Sequence, residues 1–313
     1  MTNKKLKVAV LAGGVGAERE VSIQSGRCVA EALKEAGFRV VTADVRPDDL
    51  EILRDGSIDV FFPALHGEFG EDGRLQQILE DRSLLYAGSG PMASKLAFDK
   101  MASKDLFENV GVAVPKAVEF RPESDVELLQ QQLCHFCDKY VVKPVRQGSS
   151  VGVHIVSTPD EALDVAVKIY HQFGDCMIEE FVPGKEVTVG ILCERTLPII
   201  EIRPHSGFYD YHAKYVDERT EFLFDTITDP SVAANVSRAA MDCFTALGCR
   251  HFARADFILS DDGAAHVLEV NTIPGFTSHS LLPKAAARAG LTMSGLCACI
   301  VEAACSSLLS RNA

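Results

Sequence analysis

The sequence predicts an α/β protein of two or three domains. Its 313 residues exceed the length of one typical domain, and a hydrophobic content of 47% is ample for several cores. Short apolar strands alternate with helical patterns near the N-terminus, which indicates a parallel sheet. A β-hairpin is predicted between Phe252 and Asn271, which adds antiparallel pairing near the other end of the chain.

The N-terminal parallel sheet follows from strand–helix–strand order, because parallel neighbours need a crossover. Strands are predicted at Lys7–Leu11, Phe38–Ala43 and Val60–Ala64, with a helix from about Glu18 to Ala36. Ligands of such sheets sit at the carboxyl ends of the strands. The sequence therefore directs attention to the loops that follow the first and third strands.

Two glycine-rich polar loops fall at those strand ends. Residues 13–20, G-G-V-G-A-E-R-E, lack the G-x-G-x-x-G spacing, so dinucleotide binding is not supported. The start of the helix after them could receive an anion, and Glu18 an ammonium group. Residues 66–73, H-G-E-F-G-E-D-G, need special backbone geometry at their glycines. This second loop is either a binding loop or a turn with solvated acids.

A second domain is predicted to begin near residue 98, with a helix from Asp99 to Val110. Further along, a β-branched strand carrying Lys143 leads into a glycine–serine loop at Gly148–Gly152. Backbone N–H groups in such a loop can approach phosphates, and the lysine supplies charge. The loop is not a Walker A loop, since no G-K-[ST] closes it. A flexible surface turn is the alternative interpretation.

The strand predicted at Met177–Val182 carries a second candidate for nucleotide contact. Glu179 and Phe181 share one face of that strand, because side chains alternate. An aromatic ring beside a carboxylate could hold a purine and a ribose hydroxyl. Packing at the edge of a sheet would explain the same pair.

The hairpin near the C-terminus predicts a metal site. A two-residue turn at Asp262–Gly263 sets Asp256 opposite Glu269 and Arg254 opposite Asn271 on one polar face. Carboxylates directly opposite each other destabilise a sheet, and a divalent cation between them removes that cost. Oxygen ligands of this kind suit Mg²⁺. A solvated polar face is the alternative. The reverse, core-facing side would carry Ala255, Phe257, Leu259, Leu268 and Val270.

Composition excludes several classes of function. The net charge of −13 argues against a nucleic-acid partner and against docking on an anionic membrane. The sequence contains no run of 18 apolar residues, so no transmembrane helix is predicted. The short apolar run at Val8–Ala12 is typical of a buried strand rather than a signal peptide. Ten cysteines without a secretion signal favour a reduced, cytoplasmic context.

Six motifs cover nearly the whole chain in a fixed order: G-G-V-G-A-E-R-E-V-S at 13–22, H-G-E-F-G-E-D-G at 66–73, V-K-P-V-R-Q-G-S-S-V-G at 142–152, F-Y-D-Y-H-A-K-Y at 208–215, A-R-A-D-F at 253–257 and E-V-N-T-I-P-G-F-T-S-H-S-L at 269–281. Together they resemble the D-alanine–D-alanine ligases of the ATP-grasp superfamily. The resemblance implies three domains: a Rossmann-like substrate domain at 1–98, a central ATP-grasp domain at 99–184 and a C-terminal ATP-grasp domain at 185–313.

The resemblance implies that ATP lies between the central and C-terminal domains while D-alanine faces the N-terminal one. The implied reaction joins two D-alanines through a D-alanyl phosphate, releasing ADP and phosphate, in peptidoglycan precursor synthesis. Lysines matching phosphate contacts are Lys100, Lys143 and Lys214, and residues matching adenine and ribose contacts are Glu179, Phe181, Val182 and Glu186. Phe181 stands where many relatives have tryptophan, and both rings can stack on adenine. The implied ligands of Mg²⁺ or Mn²⁺, two ions when ATP is bound, are Asp256, Glu269 and Asn271.

Further residues match the family's substrate and catalytic contacts. Glu18 matches the anchor of the first alanine's ammonium group, and His66 lies near that alanine's carboxylate. Partners linking Glu18 to a closing loop over 205–220 are Ser149 and Tyr215. Groups around the reacting carbonyl are Arg254 and Gly275, and the site for the second alanine's carboxylate is Ser280 and Leu281, at a helix start.

Two other functions remain open from the sequence. One is a related carboxylate–amine ligase making D-Ala-D-Ser or D-Ala-D-Lac, against which the loop at 208–215, with tyrosine at position 215, argues. The other is a nucleotide-binding protein without ligase turnover, against which the complete set of proposed metal, phosphate and oxyanion residues argues. The family resemblance also implies a homodimer.

Overall fold

The computed structural model describes residues 5–16, 18–136, 138–205 and 219–311, so the roles predicted for Lys214 and Tyr215 concern residues outside these ranges. In the described residues the strands form three sheets. Each sheet takes its strands from one of the three segments predicted as domains. The domain boundaries themselves stay a prediction.

The first sheet is the parallel sheet expected at the N-terminus. Its order is β2-β1-β3, with β1 at Lys7–Gly13, β2 at Arg39–Val45 and β3 at Val60–Pro63. Helix α1, Arg19–Glu35, joins the first two strands, and Gly37 follows its end with φ +91°. Alternate residues of β1 enter two cores on opposite faces, as parallel sheets require. A 3₁₀ turn at Glu51–Arg54, α2 at Arg74–Asp81 and α3 at Pro91–Phe98 complete this part.

The second sheet is antiparallel, in the order β4-β7-β5-β6. Its elements are α4 at Lys100–Asn109, β4 at Ala117–Phe120, α5 at Val126–Leu133, β5 at Tyr140–Pro144, β6 at His154–Val156, α6 at Pro159–Phe173 and β7 at Cys176–Glu180. Helices α5 and α6 pack on the face that carries Val142 and Ile178. Because side chains alternate, the opposite face presents Lys143 and Glu179 to a cavity.

The third sheet has the order β11-β10-β8-β12-β13, with β9 pairing on β8. Its elements are β8 at Lys185–Leu192, β9 at Arg195–Thr196, β10 at Ile200–Arg203, β11 at Glu221–Phe224, α7 at Pro230–Ala246, β12 at Phe252–Leu259, β13 at Ala265–Asn271, α8 at Leu281–Arg288 and α9 at Met293–Arg311. Helix α7 packs on the apolar side of this sheet. Helices α8 and α9 join the core beneath the first sheet.

The β12–β13 hairpin has the predicted pairing at the site and a different turn. Arg254 lies opposite Asn271 and Asp256 opposite Glu269, as predicted. The predicted two-residue turn is wrong: Ser260 N bonds to Ala264 O at 3.0 Å, which makes a three-residue loop ending in Gly263 with φ +85°. A β-bulge between Asp256 and Phe257 compensates for the extra loop residue. The residue it adds on β13 is Leu268, which lines a cavity instead of the predicted core.

Within the described ranges, no single helix is long and apolar enough to cross a membrane. The segments Leu281–Arg288 and Met293–Ser307 pass that test only as a pair, and the break between them bends by 101°.

Candidate active site

A cavity of about 530 Å³ lies between the second and third sheets. Its walls come from β5 and β7 on one side and from β8, β10, β12 and β13 on the other. It brings together every described residue predicted to contact ATP: Lys100, Lys143, Glu179, Phe181, Val182 and Glu186. Asp256 and Glu269, two of the predicted metal ligands, also line it. We call it the nucleotide cavity.

Glu179 is a buried anion held by two lysines. Lys143 Nζ donates to its Oε1 at 2.7 Å, and Lys104 Nζ lies 3.0 Å from its Oε2. Burial by itself would raise the pKa of Glu179, but the two ammonium groups outweigh burial and lower it. The cluster therefore stays charged, with one net positive charge at the wall of the cavity. Nothing in the sequence pattern pointed to Lys104.

The apolar part of the cavity includes Phe181, Val182, Ile258 and Leu268. Phe181 follows the end of β7 and carries Lys139 Nζ 5.7 Å from its ring centroid. Sequence reasoning missed Leu268, because it assumed an uninterrupted two-residue alternation along β13. The bulge turns this leucine towards the same space as the phenylalanine, so the cavity offers apolar surface for a flat ring.

Asp256 and Glu269 form a carboxylate face at one end of the cavity. Thr188 Oγ1 and Arg254 Nε donate to Asp256 Oδ1 at 2.6 and 2.9 Å. Arg254 Nη2 and Asn271 Nδ2 donate to its Oδ2 at 2.7 and 3.0 Å. Glu269 Oε2 lies 2.9 Å from Lys100 Nζ. Both carboxylates therefore already sit among cations in this structure, which is the electrostatic setting of a phosphate and metal site.

The donor set of this face fits a hard divalent cation. In the described part of the chain, no group of three or more His, Cys, Asp or Glu side chains could hold a metal ion. The predicted set instead combines two opposed carboxylates with the amide of Asn271. These are oxygen-bearing groups of the type that Mg²⁺ and Mn²⁺ accept, with remaining positions left for water and phosphate.

A second, smaller cavity of about 90 Å³ lies between the N-terminal loops and the segment after β13. It collects every described residue predicted for substrate binding and catalysis: Glu18, His66, Ser149, Arg254, Gly275, Ser280 and Leu281. Asn271 lines it as well, and Glu269 lines both cavities. We call it the acceptor cavity. The two cavities therefore meet at the carboxylate face.

In the acceptor cavity, the Glu18 carboxylate lies close to Ser149 and to the backbone of Gly67. Ser149 Oγ donates a hydrogen bond to it, which joins the two predicted partners. Gly67 has φ +70°, and a Cβ at that position would fall 2.4 Å from Glu18 Oε2. The loop at 66–73 thus needs glycine for both its conformation and its close approach, which favours the binding-loop interpretation over a solvated turn.

Glu71 is an acid of the acceptor cavity that sequence reasoning did not single out. Its Oε2 accepts from Gly67 N at 2.6 Å. Burial, reinforced by the nearby Glu18 carboxylate, raises the pKa of Glu71 to about 8. The sequence shows Glu71 only as one of three acids in the loop at 66–73, and it does not indicate which groups this side chain contacts.

His66 lies in the acceptor cavity as predicted, but it is neutral. Its Nδ1 donates to Ile273 O at 2.9 Å, since a carbonyl can only accept, and its Nε2 accepts from Ser25 Oγ at 3.0 Å. Burial lowers the pKa of His66 to about 4. Both ring nitrogens therefore have partners within the protein, and the ring brings no positive charge to the cavity.

The start of α8 faces the acceptor cavity. Ser280 is its N-cap, yet the Ser280 side chain makes no capping bond to the helix; its Oγ accepts from Thr277 N at 3.0 Å. A Cβ on Gly275 would lie 2.5 Å from that Oγ, so only glycine fits this close approach. The first backbone N–H groups of α8 carry partial positive charge, which suits a carboxylate.

Comparison with known proteins shows which family the chain belongs to. Residues 48–89 and 106–302 match family models described as the N-terminus and the C-terminus of D-ala D-ala ligase. The chain is 41% identical over 301 residues to a D-alanine–D-alanine ligase of Citrifermentans bemidjiense, covering 96% of this chain and 97% of the relative.

Solved structures show the same likeness. One is a D-alanine–D-alanine ligase of Bacillus anthracis complexed with ATP, with a TM-score of 0.81, 30% identity and coverage of 96% of this chain and 98% of that one. Another is VanG, a D-Ala:D-Ser ligase of Enterococcus faecalis, with a TM-score of 0.84, 27% identity and coverage of 96% and 100%. The fold is the ATP-grasp fold expected from the sequence. The chain belongs to the D-alanine–D-alanine ligase family.

Proposed function

We propose that this protein joins two D-alanines to D-alanyl-D-alanine at the expense of ATP, releasing ADP and phosphate. The observation that carries the proposal is the meeting of two different cavities at Glu269. One has the size, apolar wall and lysines that suit a nucleotide. The other is small and acidic and lies against a helix start, which suits amino acids. A ligase needs both, with the reacting groups at their junction.

In the nucleotide cavity, Phe181, Val182 and Leu268 would pack on adenine, and Glu186 would bind the ribose. Lys100 and Lys143 would contact the phosphates, with Glu179 fixing Lys143. Asp256, Glu269 and Asn271 would hold Mg²⁺ or Mn²⁺, two ions with ATP bound, which neutralise charge on the phosphates. Phosphoryl transfer depends mainly on such positioning and charge neutralisation.

In the acceptor cavity, Glu18 would bind the ammonium group of the first alanine. A carboxylate oxygen of this alanine attacks the γ-phosphorus of ATP, the bond to the ADP oxygen breaks, and D-alanyl phosphate forms. The second alanine would bind its carboxylate at Ser280 and Leu281 on the start of α8. Its amine, having lost a proton, attacks the acyl carbon, and phosphate leaves with the oxygen that attacked phosphorus.

Arg254 and the backbone at Gly275 would stabilise the oxyanion that forms in the second step. Arg254 lines the acceptor cavity and already reaches the carboxylate face through Asp256. The loop predicted over 205–220, with Lys214 and Tyr215, would exclude water from the acyl phosphate. We also propose a cytoplasmic homodimer that supplies peptidoglycan precursors and binds neither nucleic acid nor membrane.

The test is ADP release with ATP and Mg²⁺, measured with D-alanine, L-alanine, D-serine or D-lactate alone, with D-alanine plus D-serine or D-lactate, and with no acceptor; products are identified by mass. D-alanine-dependent ADP and a dialanine product are expected. Turnover only when D-alanine is combined with D-serine or D-lactate would assign the acceptor of a related ligase instead. ATP binding without turnover under any condition would refute ligase activity.

A further inference from the structure

Lys104 is a buried lysine that lines neither the nucleotide cavity nor the acceptor cavity. It lies one turn after Lys100 on α4, so the two side chains share one face of the helix. Lys100 Nζ donates to Gln147 O at 2.6 Å and pairs with Glu269. Lys104 Nζ donates to Pro115 O at 2.8 Å and pairs with Glu179. One helix thus reaches two acidic residues of the nucleotide cavity, Glu179 and Glu269.

Burial strengthens the ion pair between Lys104 and Glu179. Lys104 is 4% exposed and Glu179 2% exposed, so water and salt screen their attraction little. Pro115, whose carbonyl Lys104 holds, lines the nucleotide cavity beside Lys143 and Glu179. Lys104 therefore fixes two pieces of the cavity wall from behind, without touching the space inside.

The charge balance shows what Lys104 contributes. Two ammonium groups and one carboxylate give the cluster of Lys104, Lys143 and Glu179 one net positive charge. Without Lys104, Lys143 alone would have to neutralise Glu179, and no net charge would be left to attract a phosphate. Lys143 already donates to Glu179, and it would then be the partner that alone offsets this carboxylate, which leaves less of its charge for a ligand.

We propose that Lys104 is a positioning residue for the nucleotide, acting through Glu179 to keep the charge of Lys143 available to the phosphates. This inference rests on the proposed nucleotide site and deepens it. It assigns a function in binding to a residue that has no contact with the ligand.

The first test is the Lys104→Met variant, whose side chain has similar length and no charge. Removal of a buried charge partner is expected to weaken ATP binding about tenfold and to raise KM for ATP by a similar factor, while kcat changes less than about threefold. Binding is measured by calorimetry without D-alanine. The matched control is Lys168→Met on the exposed side of α6, which is expected to bind ATP like the original protein.

A double-mutant cycle separates this function from a merely structural one. Glu179→Gln is expected to weaken ATP binding, and adding Lys104→Met to it is expected to change the affinity by less than about twofold, because the two residues act together. ATP binding unchanged in Lys104→Met, with only a lower melting temperature, would overturn the proposal. A further tenfold loss in the double variant would overturn it as well.

The cycle remains decisive if Lys104→Met alone does not fold. The double variant lacks an unpaired buried carboxylate, so it is compared directly with Glu179→Gln: ATP affinities that differ by more than about twofold contradict the proposal. The readout is ATP binding in the absence of acceptor. A protein that binds ATP but makes no dialanine would therefore refute the proposed reaction and leave this test intact.

Discussion

The acids of the two cavities have different electrostatic surroundings. In the nucleotide cavity, two acids pair with lysines: Glu179 with Lys104 and Lys143, and Glu269 with Lys100. A third, Asp256, pairs with Arg254. In the acceptor cavity, Glu18 and Glu71 are close enough for one charge to raise the pKa of the other, and the nearby histidine is neutral. The first arrangement favours a polyanion and the second an ammonium group. This difference supports the proposal that a polyanion and the ammonium group of an amino acid bind on either side of one carboxylate face.

The largest effect is expected from Glu269→Gln, since Glu269 belongs to both cavities. This change keeps the shape of the side chain and removes its charge, so kcat is expected to fall about a thousandfold with the fold intact. Turnover and thermal melting are measured together. The control is Glu302→Gln at an exposed position of α9, expected to retain full activity. Turnover within tenfold of the original in folded Glu269→Gln would contradict the shared role.

The second effect concerns the neutral histidine of the acceptor cavity. Burial lowers the pKa of His66 from 6.5 to about 4, so between these values the unfolded chain binds more protons than the folded one. Stability from this group is therefore complete above pH 6.5 and is lost as the pH falls towards 4, by about 3 kcal/mol at most.

Urea unfolding at pH 7, 5.5 and 4 measures this dependence. The stability of the original protein is expected to fall more steeply on acidification than that of His66→Gln. His154→Gln, changed at an exposed position of β6, is expected to follow the original protein. Equal slopes for the original and His66→Gln would mean that His66 is not buried in its neutral form.

The smallest effect tests which way Leu268 faces. If Leu268 lines the nucleotide cavity, Leu268→Ala removes an apolar contact that ATP makes equally in the ground state and the transition state. KM for ATP is therefore expected to rise about fivefold, while kcat and KM for D-alanine stay within about twofold. Leu259→Ala, a truncation on the buried core face of β12, is expected to cost about 2–5 kcal/mol of stability instead. If Leu268→Ala behaved like Leu259→Ala, the bulge would be misplaced.

The hairpin shows both the reach and the limit of sequence reasoning. The pairing of Asp256 with Glu269 was predicted correctly although the turn was not, because a three-residue loop and a bulge shift the register in opposite directions. Alternation and turn propensity are local signals. A bulge depends on how a strand pairs with its neighbours, so the two-residue alternation along β13 could not predict which side Leu268 faces.

The residues of the site also fall into two groups, those that local sequence motifs indicated and those that only the fold revealed. Those within glycine-rich or acidic motifs, such as Glu18, Lys143 and Glu269, were singled out from the sequence, and they line the two cavities that meet at Glu269. Lys104 and Glu71 were missed because their significance comes from partners distant in the chain. A lysine in a short helix ordinarily indicates a solvated surface, and only the fold shows that this one is buried against Glu179.

The central claim is that a carboxylate oxygen from the acceptor cavity attacks phosphorus in the nucleotide cavity. The most direct test supplies D-alanine labelled with ¹⁸O in its carboxylate, together with unlabelled ATP and Mg²⁺, and measures the mass of the phosphate released. One ¹⁸O in each phosphate is expected, since the attacking oxygen leaves with phosphorus when the amine reacts. Unlabelled phosphate formed alongside dialanine would contradict the acyl phosphate and the meeting of the two cavities that produces it.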